Sequence, residues 1–327
     1  MTSRRGLRPL LVLTAVAVTA AAAYVAVRGV ALQDTVDALA ASDLRWLMPT
    51  AAVLAVALWL RVVRWWLLFD PASRPPLGAV GHAAFVGYFF NNILPARAGE
   101  AARVISLHQR ARIPRAETIG TVVIERVFDV LALLALLFVS YPLLPEVSWL
   151  RTAALLGIVV LAVLVVLVAL LVRYDERAVR WLLSPLRRLP HAGVAERVEH
   201  AVANAGRGLV GLRDARVAVR GMVVTVASWV ALAFAYWVLM AAFELGVPAV
   251  AGMLVVVAIN LSLVLPSSPA ALGVFEAATV VALRAFDVPH AEALSYALVL
   301  HLLNLVPFLL IGAVLLGPEA LRRARRD

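Results

Sequence analysis

The chain has 327 residues, of which 63% are hydrophobic and 15% are charged, and its mean hydropathy is +0.93. These values exclude an ordinary soluble domain and predict an all-α polytopic membrane protein. The formal net charge of +10 comes from arginines concentrated in loops, a pattern that indicates membrane orientation and not nucleic-acid binding.

Apolar runs predict about six full transmembrane helices, each near the roughly 20 residues that a bilayer crossing needs. The N-terminal run fits either a cleaved signal peptide or a retained helix, and we favour the helix because the run continues through Tyr24 to Val27. A polar connection at 28–45 follows it. The predicted spans are about 9–27, 46–69, 117–140, 152–172, 221–243 and 293–316.

Two further pairs of apolar segments are too short to span, and we predict that they form re-entrant hairpins of broken helix. The first pair, 79–94 and 98–110, is interrupted at Pro95–Gly99, just after Asn91 and Asn92. The second pair, 250–266 and 269–286, is split by the sequence LPSSPAALG. The prediction becomes eight helices if the hairpin arms are counted as spans, with the two arms of each hairpin taken together.

Arginine placement predicts the orientation of the chain. The arginine-rich regions are 1–8, 103–115, 173–220 and the C-terminal tail. The neutral or acidic connections are 28–45, 141–151 and 244–249. The positive-inside rule therefore places both termini in the cytoplasm, with the protein in the cell membrane. The basic loop 173–220 is either an ordinary cytoplasmic loop or one that lies along the membrane surface.

The two breaks resemble each other, which indicates an internal duplication. EAARVISL at 100–107 aligns with EAATVVAL at 276–283, with five of eight positions identical. Arg126 then falls opposite His301, and Asp129 opposite Asn304. We predict a single membrane domain over 1–327, with repeat 1 at 46–140 and repeat 2 at 221–316.

Three predicted crossings separate the two hairpins, so the repeats should have opposite orientations. The first hairpin would open to the cytoplasm and the second to the outside. Inverted repeats with discontinuous helices are typical of alternating-access transporters. Exposed backbone at membrane depth is tolerated only where it is buried in protein or lines a polar cavity. The breaks are therefore the predicted substrate site.

Charged residues follow the first break and recur inside the 117–140 span. Each costs about 2.5–3.5 kcal/mol at the centre of a membrane helix unless it pairs or faces water. One interpretation is a structural network in which Arg126 pairs with Asp129 or Glu100. The other is a headgroup site formed by Arg97, Arg103 or Arg126, and both can hold at once. The candidate charged residues are Arg97, Glu100, Arg103, Glu125, Arg126 and Asp129.

The second break offers polar candidates of a different kind. Ser268 followed by Pro269 predicts an N-cap and a first helical turn, and so a helix N-terminus that could accept phosphate or carboxylate. His301 alone is a weak signal, because a satisfied interhelical histidine is more common. The polar residues that could line the same cavity are Asn260, Ser262, Ser267, Glu276, His301 and Asn304.

Signals for catalysis are poor. The sequence has no Asp-x-Asp pair, no His/Glu cluster with metal-ligand spacing and no nucleophile motif. It also has no cysteine, which excludes disulfides and thiolate metal sites. We expect a transporter without catalytic residues, metal or cofactor.

NNILPARAGEAAR, IERVFDVLALL and SPAALGVFEAA, in that order, resemble the lysylphosphatidylglycerol synthase transmembrane family, the flippase-like integral membrane proteins, over roughly 10–316. The resemblance implies a phospholipid or related lipid translocase, like the membrane half of the multiple peptide resistance factor. One departure is PSSPAALG, where a glycine-rich PGGLG-like form is more usual, and this implies a stiffer break. The family pattern singles out Asn92, Pro95, Arg97, Gly99, Glu100, Arg103, Glu125, Arg126, Asp129, Gly273 and Glu276.

The resistance factor continues into a soluble transferase, whereas this sequence ends about ten residues after its last predicted helix. We therefore expect a separate lipid-modifying enzyme to make the cargo. Candidate cargoes are an anionic or aminoacylated phospholipid, a glycolipid or a polyprenyl-linked lipid. The alternatives are a membrane enzyme or accessory subunit acting on polyprenyl-linked or glycolipid substrates, and a scaffold with purely structural charges. The sequence leaves oligomerisation open.

Overall fold

The computed structural model describes residues 24, 32–94, 98–145, 151, 152, 155, 157–159, 162, 215–263 and 269–324. These residues form helices and connecting turns, and no strand is found among them. Most of the predicted helix at 9–27, of the 152–172 span and of the 173–220 loop lies outside this part of the chain. The predicted site residues Pro95, Arg97, Ser267 and Ser268 lie outside it as well.

Helices alternate with short turns along the described chain. The 3-10 turns are Leu44–Trp46, Tyr141–Leu143, Ala241–Phe243 and Pro269–Ala271. The α-helices are α1 Leu32–Ala40, α2 Leu47–Leu67, α3 Leu77–Ile93, α4 Gly99–Ala111, α5 Arg115–Ser140, α6 Ala215–Met240, α7 Val250–Ser262, α8 Val274–Arg284 and α9 His290–Ala324.

Three described stretches are long and apolar enough to cross a bilayer: Leu44–Leu67, Arg216–Phe243 and His290–Leu316. They coincide with three of the predicted spans, so the chain is a helical membrane protein. The helix α5 has 26 residues, which is also sufficient length, although it carries more charge. By contrast, α8 has 11 residues and is about 16 Å long, roughly half of an apolar bilayer core.

The helix α1 occupies part of the predicted polar connection at 28–45, where no helix was expected. Asp34 and Asp37 lie on its exposed face, while Thr35 is buried. The Thr35 carbonyl accepts a hydrogen bond from the Ser295 hydroxyl of α9 at 2.7 Å. The two acidic residues favour a loop in the sequence, and packing against α9 stabilises the helix instead.

The packing of the helices brings the two broken segments together. α2 packs along α6, α3 packs on α4, and α7 packs on α8. α3 also contacts both α9 and the Pro269–Ala271 turn, so the first hairpin is a neighbour of the second break. The largest apolar cluster is formed mainly by α6, α7, α8 and α9, with Leu239, Leu254, Leu283 and Tyr296 fully buried.

Candidate functional site

An ion-pair cluster joins α2, α4 and α5 in the interior of the bundle. Three arginines face three carboxylates in it, so its formal charge balances. Burial of charge in a membrane protein is tolerated when the groups pair in this way. The ion-pair cluster consists of Arg64, Glu100, Arg103, Glu125, Arg126 and Asp129.

Arg64 is the centre of the cluster, and its side chain is only 2% exposed. Its Nη2 donates to Glu125 Oε1 at 2.6 Å, and its Nη1 donates to Asp129 Oδ1. The second oxygen of Glu125 accepts from Arg103 Nη2 at 3.0 Å. The carboxylate of Glu125 therefore links α2 to α4 through two guanidinium groups.

The outer end of the cluster is formed by Arg126, whose side chain is 45% exposed. Its Nη2 donates to Glu100 Oε1 at 3.0 Å, and its Nη1 lies 3.3 Å from Asp129 Oδ2. Arg103 Nε lies 2.9 Å from Glu100 Oε2. The sequence suggested a structural network in which Arg126 pairs with Asp129 or Glu100, and both contacts are present.

Two tryptophans pack on the cluster. The guanidinium of Arg103 lies over the Trp65 ring, with Cζ 4.6 Å from its centroid, and Trp65 Nε1 donates to the Thr121 hydroxyl at 3.0 Å. Trp229, on α6, donates from Nε1 to Asp129 Oδ1 at 3.0 Å. Through Trp229, the helix that begins the second half of the chain contacts the charges of the first half.

Arg61 lies one helical turn before Arg64 on α2, and it differs from the arginines of the cluster. Its guanidinium lies over the Trp229 ring, with Cζ 4.5 Å from the ring centroid. It forms no hydrogen bond or ion pair among the described residues, and its Nε is buried without a hydrogen-bond acceptor. It is close enough to Tyr88 and Tyr236 to interact electrostatically with both. Arg61 is therefore a half-buried cation without an anionic partner in the described chain.

Sequence reasoning missed Arg61 and Arg64. The stretch WLRVVRWWLLF at 59–69 has the composition of an aromatic and arginine-rich boundary of the bilayer, so its arginines were not among the candidates. The available signal was the spacing of the two arginines, three residues apart on one face of a predicted span. Cations inside an apolar span are functional or structural candidates by default.

The first break is stabilised by Asn91. Its Oδ1 accepts a hydrogen bond from the backbone N–H of Gly99 at 2.9 Å, while Asn92 donates to the Tyr88 carbonyl at 3.0 Å. Gly99 also touches α3 closely, because a Cβ added there would lie 1.9 Å from the Gly87 carbonyl oxygen. These contacts fix α4 against α3 immediately after the break.

The second break differs from the prediction. Pro269–Ala271 is a 3-10 turn, and the continuous helix α8 begins only at Val274. Ala270 and Ala271 have left-handed backbone conformations, with φ of 55° and 56°, which interrupt any helix beginning at Pro269. The Gly273 N–H donates to Glu276 Oε2 at 2.7 Å. The predicted helix start at Pro269 is therefore wrong, and an amide at the actual start already has a carboxylate partner.

Glu276 and His301 form a buried pair beside this turn. The ring Nδ1 of His301 lies 2.6 Å from Glu276 Oε1, and Nε2 lies 3.0 Å from the Ala270 carbonyl oxygen. Phe275 stacks on the imidazole with ring centroids 4.4 Å apart. The histidine thus connects α9 to both α8 and the turn.

Two predicted asparagines make mainly local bonds. Asn304 donates to the Leu300 carbonyl at 2.8 Å and accepts from the Tyr236 hydroxyl at 3.2 Å. Asn260 donates to the Val256 carbonyl of its own helix at 2.8 Å. Among the described residues, no group of three or more His, Asp or Glu could hold a metal ion.

Aligned residues pair in both halves of the chain. Glu100 with Arg126 and Glu276 with His301 occupy equivalent positions in the alignment, and each pair is in contact. Both break glycines also have their N–H groups bound by a side chain. The correspondence between the halves therefore extends from sequence to contacts.

The alanines of the second break give a testable prediction. A left-handed residue with a Cβ costs about 1–2 kcal/mol, so Ala270→Gly should retain or raise the free energy of unfolding despite the greater chain entropy of glycine. Ala55→Gly, at an exposed position inside α2, is the matched control and should lose about 1 kcal/mol. Thermal unfolding in detergent compares them. An equal loss in both variants would contradict the strain at Ala270.

Comparison with protein families relates the chain to a known family. The family model described as the lysylphosphatidylglycerol synthase TM region matches residues 12–312. Comparison with curated proteins finds none that matches the chain. Both hairpins, the ion-pair cluster and the Glu276–His301 pair lie within the matched residues. With the match covering most of its length, the chain belongs to the family of the lysylphosphatidylglycerol synthase transmembrane region.

Proposed function

We propose that this protein is a lipid translocase that moves a phospholipid, or another lipid with an anionic headgroup, between the leaflets of the cell membrane. Family membership relates the chain to the handling of membrane phospholipids. The observation that carries the proposal is Arg61, a cation inside the span Leu44–Leu67 with no anionic partner in the described chain. A headgroup phosphate would supply the missing anion.

The charge balance next to Arg61 supports this assignment. Arg64 and Arg103 are held by carboxylates, so the ion-pair cluster has no spare positive charge for a ligand. Arg61 has its guanidinium positioned by the Trp229 ring, and a guanidinium can bind phosphate through two parallel hydrogen bonds. In this proposal the ion-pair cluster stabilises the site, and Arg61 binds the headgroup.

The proposed mechanism is alternating access between two inverted repeats. The aligned pairs Glu100–Arg126 and Glu276–His301, together with the contact between α3 and the second break, support two related halves that meet at their breaks. The lipid chains would remain in the bilayer while the headgroup passes the breaks. Both termini would lie in the cytoplasm, as the positive-inside rule predicts, and the activity would be transport without catalysis.

A flipping assay tests the proposal. Purified protein is reconstituted in vesicles with fluorescent phosphatidylglycerol, and accessibility of the label to a membrane-impermeant quencher reports movement. We expect Arg61→Gln to reduce the rate by about tenfold or more, as the loss of one charge-assisted contact worth about 1.5–3 kcal/mol predicts. Arg61→Lys should retain part of the rate because it keeps the charge.

Arg45→Gln is the matched control, because Arg45 is 91% exposed and paired with Asp43 at the end of the same span. Its flipping rate should equal that of the wild type. Native mass spectrometry of the same preparations identifies the bound lipid. Equal rates for Arg61→Gln and the wild type, in proteins with equal thermal stability, would refute the headgroup site. A wild type that moves no lipid of any headgroup class would refute the translocase.

A further inference from the structure

The Glu276–His301 pair is buried, and its hydrogen bonds determine how many protons it holds. Glu276 is 7% exposed and His301 is 6% exposed. Each nitrogen of the His301 ring faces an oxygen, Nδ1 facing Glu276 Oε1 and Nε2 facing the Ala270 carbonyl. A carbonyl oxygen can only accept, so Nε2 must donate in this arrangement.

The two hydrogen bonds of His301 determine how many protons the pair must hold. A neutral imidazole has one N–H, which Nε2 uses for Ala270. The contact between Nδ1 and Glu276 therefore needs a second proton. That proton lies either on Nδ1, giving an imidazolium beside a carboxylate, or on Glu276, giving a carboxylic acid that donates to Nδ1. In both cases the two hydrogen bonds exist together only when the pair holds one added proton.

Loss of that proton would affect the second break. The single remaining N–H of His301 could serve Glu276 or Ala270, and the other nitrogen would present a lone pair to an oxygen. Ala270 is held at φ 55°, a conformation that residues with a Cβ adopt only under constraint. The bond from Nε2 to the Ala270 carbonyl is one such constraint. We infer that Glu276 and His301 form a binding site for one exchangeable proton, whose release frees the turn Pro269–Ala271.

The other ionisable groups on the helices packed around this pair make their contacts elsewhere or are exposed. From α8, Glu276 is the charged group in contact with the ring. From α6, the Tyr236 hydroxyl is bound to Asn304, one turn further along α9. From α3, Tyr88 packs on Phe308, two turns beyond His301, and from α1 the carboxylates of Asp34 and Asp37 are exposed. Within α9, Tyr296 donates to the Tyr236 carbonyl.

If the protein is a translocase, a proton site that controls one break would couple proton binding to lipid movement. This coupling rests on the proposed function. Proton binding would hold the second break closed, and proton release would open it. A proton taken up on one side of the membrane and released on the other would then be the coupling ion for lipid movement. The cargo phosphate and the proton would act at separate residues, Arg61 and the Glu276–His301 pair.

Cysteine labelling tests the proton site directly, because the chain contains no native cysteine. Val274→Cys places a thiol at the buried first residue of α8, and Leu143→Cys provides an exposed reference thiol. The ratio of their rates of reaction with a maleimide corrects for the pH dependence that the two thiols share. Measured from about pH 5 to about pH 9, a range that brackets the pKa of an ordinary imidazole, this ratio should rise by about threefold or more with increasing pH as the turn opens.

Glu276→Gln is the decisive variant. Its carboxamide oxygen can accept from Gly273, and its NH2 group can donate to His301 Nδ1, which leaves Nε2–H for Ala270. Both hydrogen bonds then persist without an added proton, so the labelling ratio should stay low and independent of pH. His301→Gln, which removes the imidazole, should also abolish the pH dependence, and it serves if Glu276→Gln does not fold.

A pH-independent ratio in the wild type, or a wild-type pH profile in either variant, would overturn the proton site. The coupling is tested separately by imposing a pH gradient on vesicles that contain the wild type. If no lipid moves but the labelling profile is as expected, the proposed function fails and the proton site stands. If lipid moves at a rate that the gradient does not alter, the site is not a coupling site.

Discussion

Arg64→Ala should destabilise the protein by about 3–5 kcal/mol, the cost of removing one partner from a buried ion pair. The substitution leaves Glu125 and Asp129 without their central cation, and both are nearly inaccessible. It also removes both ion pairs between α2 and α5 in the ion-pair cluster. We expect a strong loss of folded protein after extraction and a large decrease in the temperature of thermal unfolding in detergent.

Two variants make this result interpretable. Arg64→Lys keeps a positive charge but cannot bridge two carboxylates with a planar fork, so its loss of stability should be intermediate. Arg45→Ala removes an arginine from an exposed pair with Asp43 and should not change the unfolding temperature measurably. If Arg64→Ala unfolds at the same temperature as Arg45→Ala, the ion-pair cluster does not hold the bundle together.

Gly99→Ala should disrupt the first hairpin. The new Cβ would lie 1.9 Å from the Gly87 carbonyl oxygen and 2.6 Å from Asn91 Oδ1, so α3 and α4 must separate. Overpacking of this kind costs about 1–3 kcal/mol and more where backbone cannot move. Because Glu100 and Arg103 follow on α4, the displacement would also weaken the ion-pair cluster. Thermal unfolding and the lipid flipping rate are the measurements.

Gly78→Ala is the matched control on the same hairpin. It lies near the start of α3, and no atom lies within 4 Å of the position of its added Cβ. Alanine at an exposed helical site should raise stability by about 0.5–1 kcal/mol. Equal unfolding temperatures for the two glycine variants would show that the arms of the hairpin do not pack as closely as Gly87 and Gly99 indicate.

The sequence was most informative where length and apolar pattern decide the structure. The spans at 46–69, 221–243 and 293–316 correspond to α2, α6 and α9, although α6 begins six residues earlier and α9 ends eight residues later than predicted. The hairpin arms were also located as separate helices, because proline and glycine mark the breaks, but the last arm begins at Val274 and not at 269. α1 was missed because Asp34 and Asp37 face solvent and only packing on α9 makes the segment helical.

The site was partly predictable for a related reason. The contacts of Arg126 with Glu100 and Asp129 follow from charges that must pair in an apolar setting. Arg61 and Arg64 were not identified, because arginines near aromatic residues also occur at bilayer boundaries and sequence does not give depth. Trp229 has no sequence signal, since its role depends on how α6 packs on α2. The start of α8 depends on backbone angles at two alanines, a residue type that usually favours helix.

The equivalent positions Arg126 and His301 have different acid–base chemistry. A guanidinium remains protonated at every physiological pH, so the contact of Arg126 with Glu100 is a permanent ion pair. An imidazole, unlike a guanidinium, can hold one proton or two, which is what the proposed proton site at His301 and Glu276 requires. All 30 basic residues of the chain other than histidine are arginine, which extends this permanence to every cation of the ion-pair cluster. Of the two aligned pairs, Glu100–Arg126 therefore keeps its charges, whereas Glu276–His301 is the pair that the proposed proton site makes dependent on acidity.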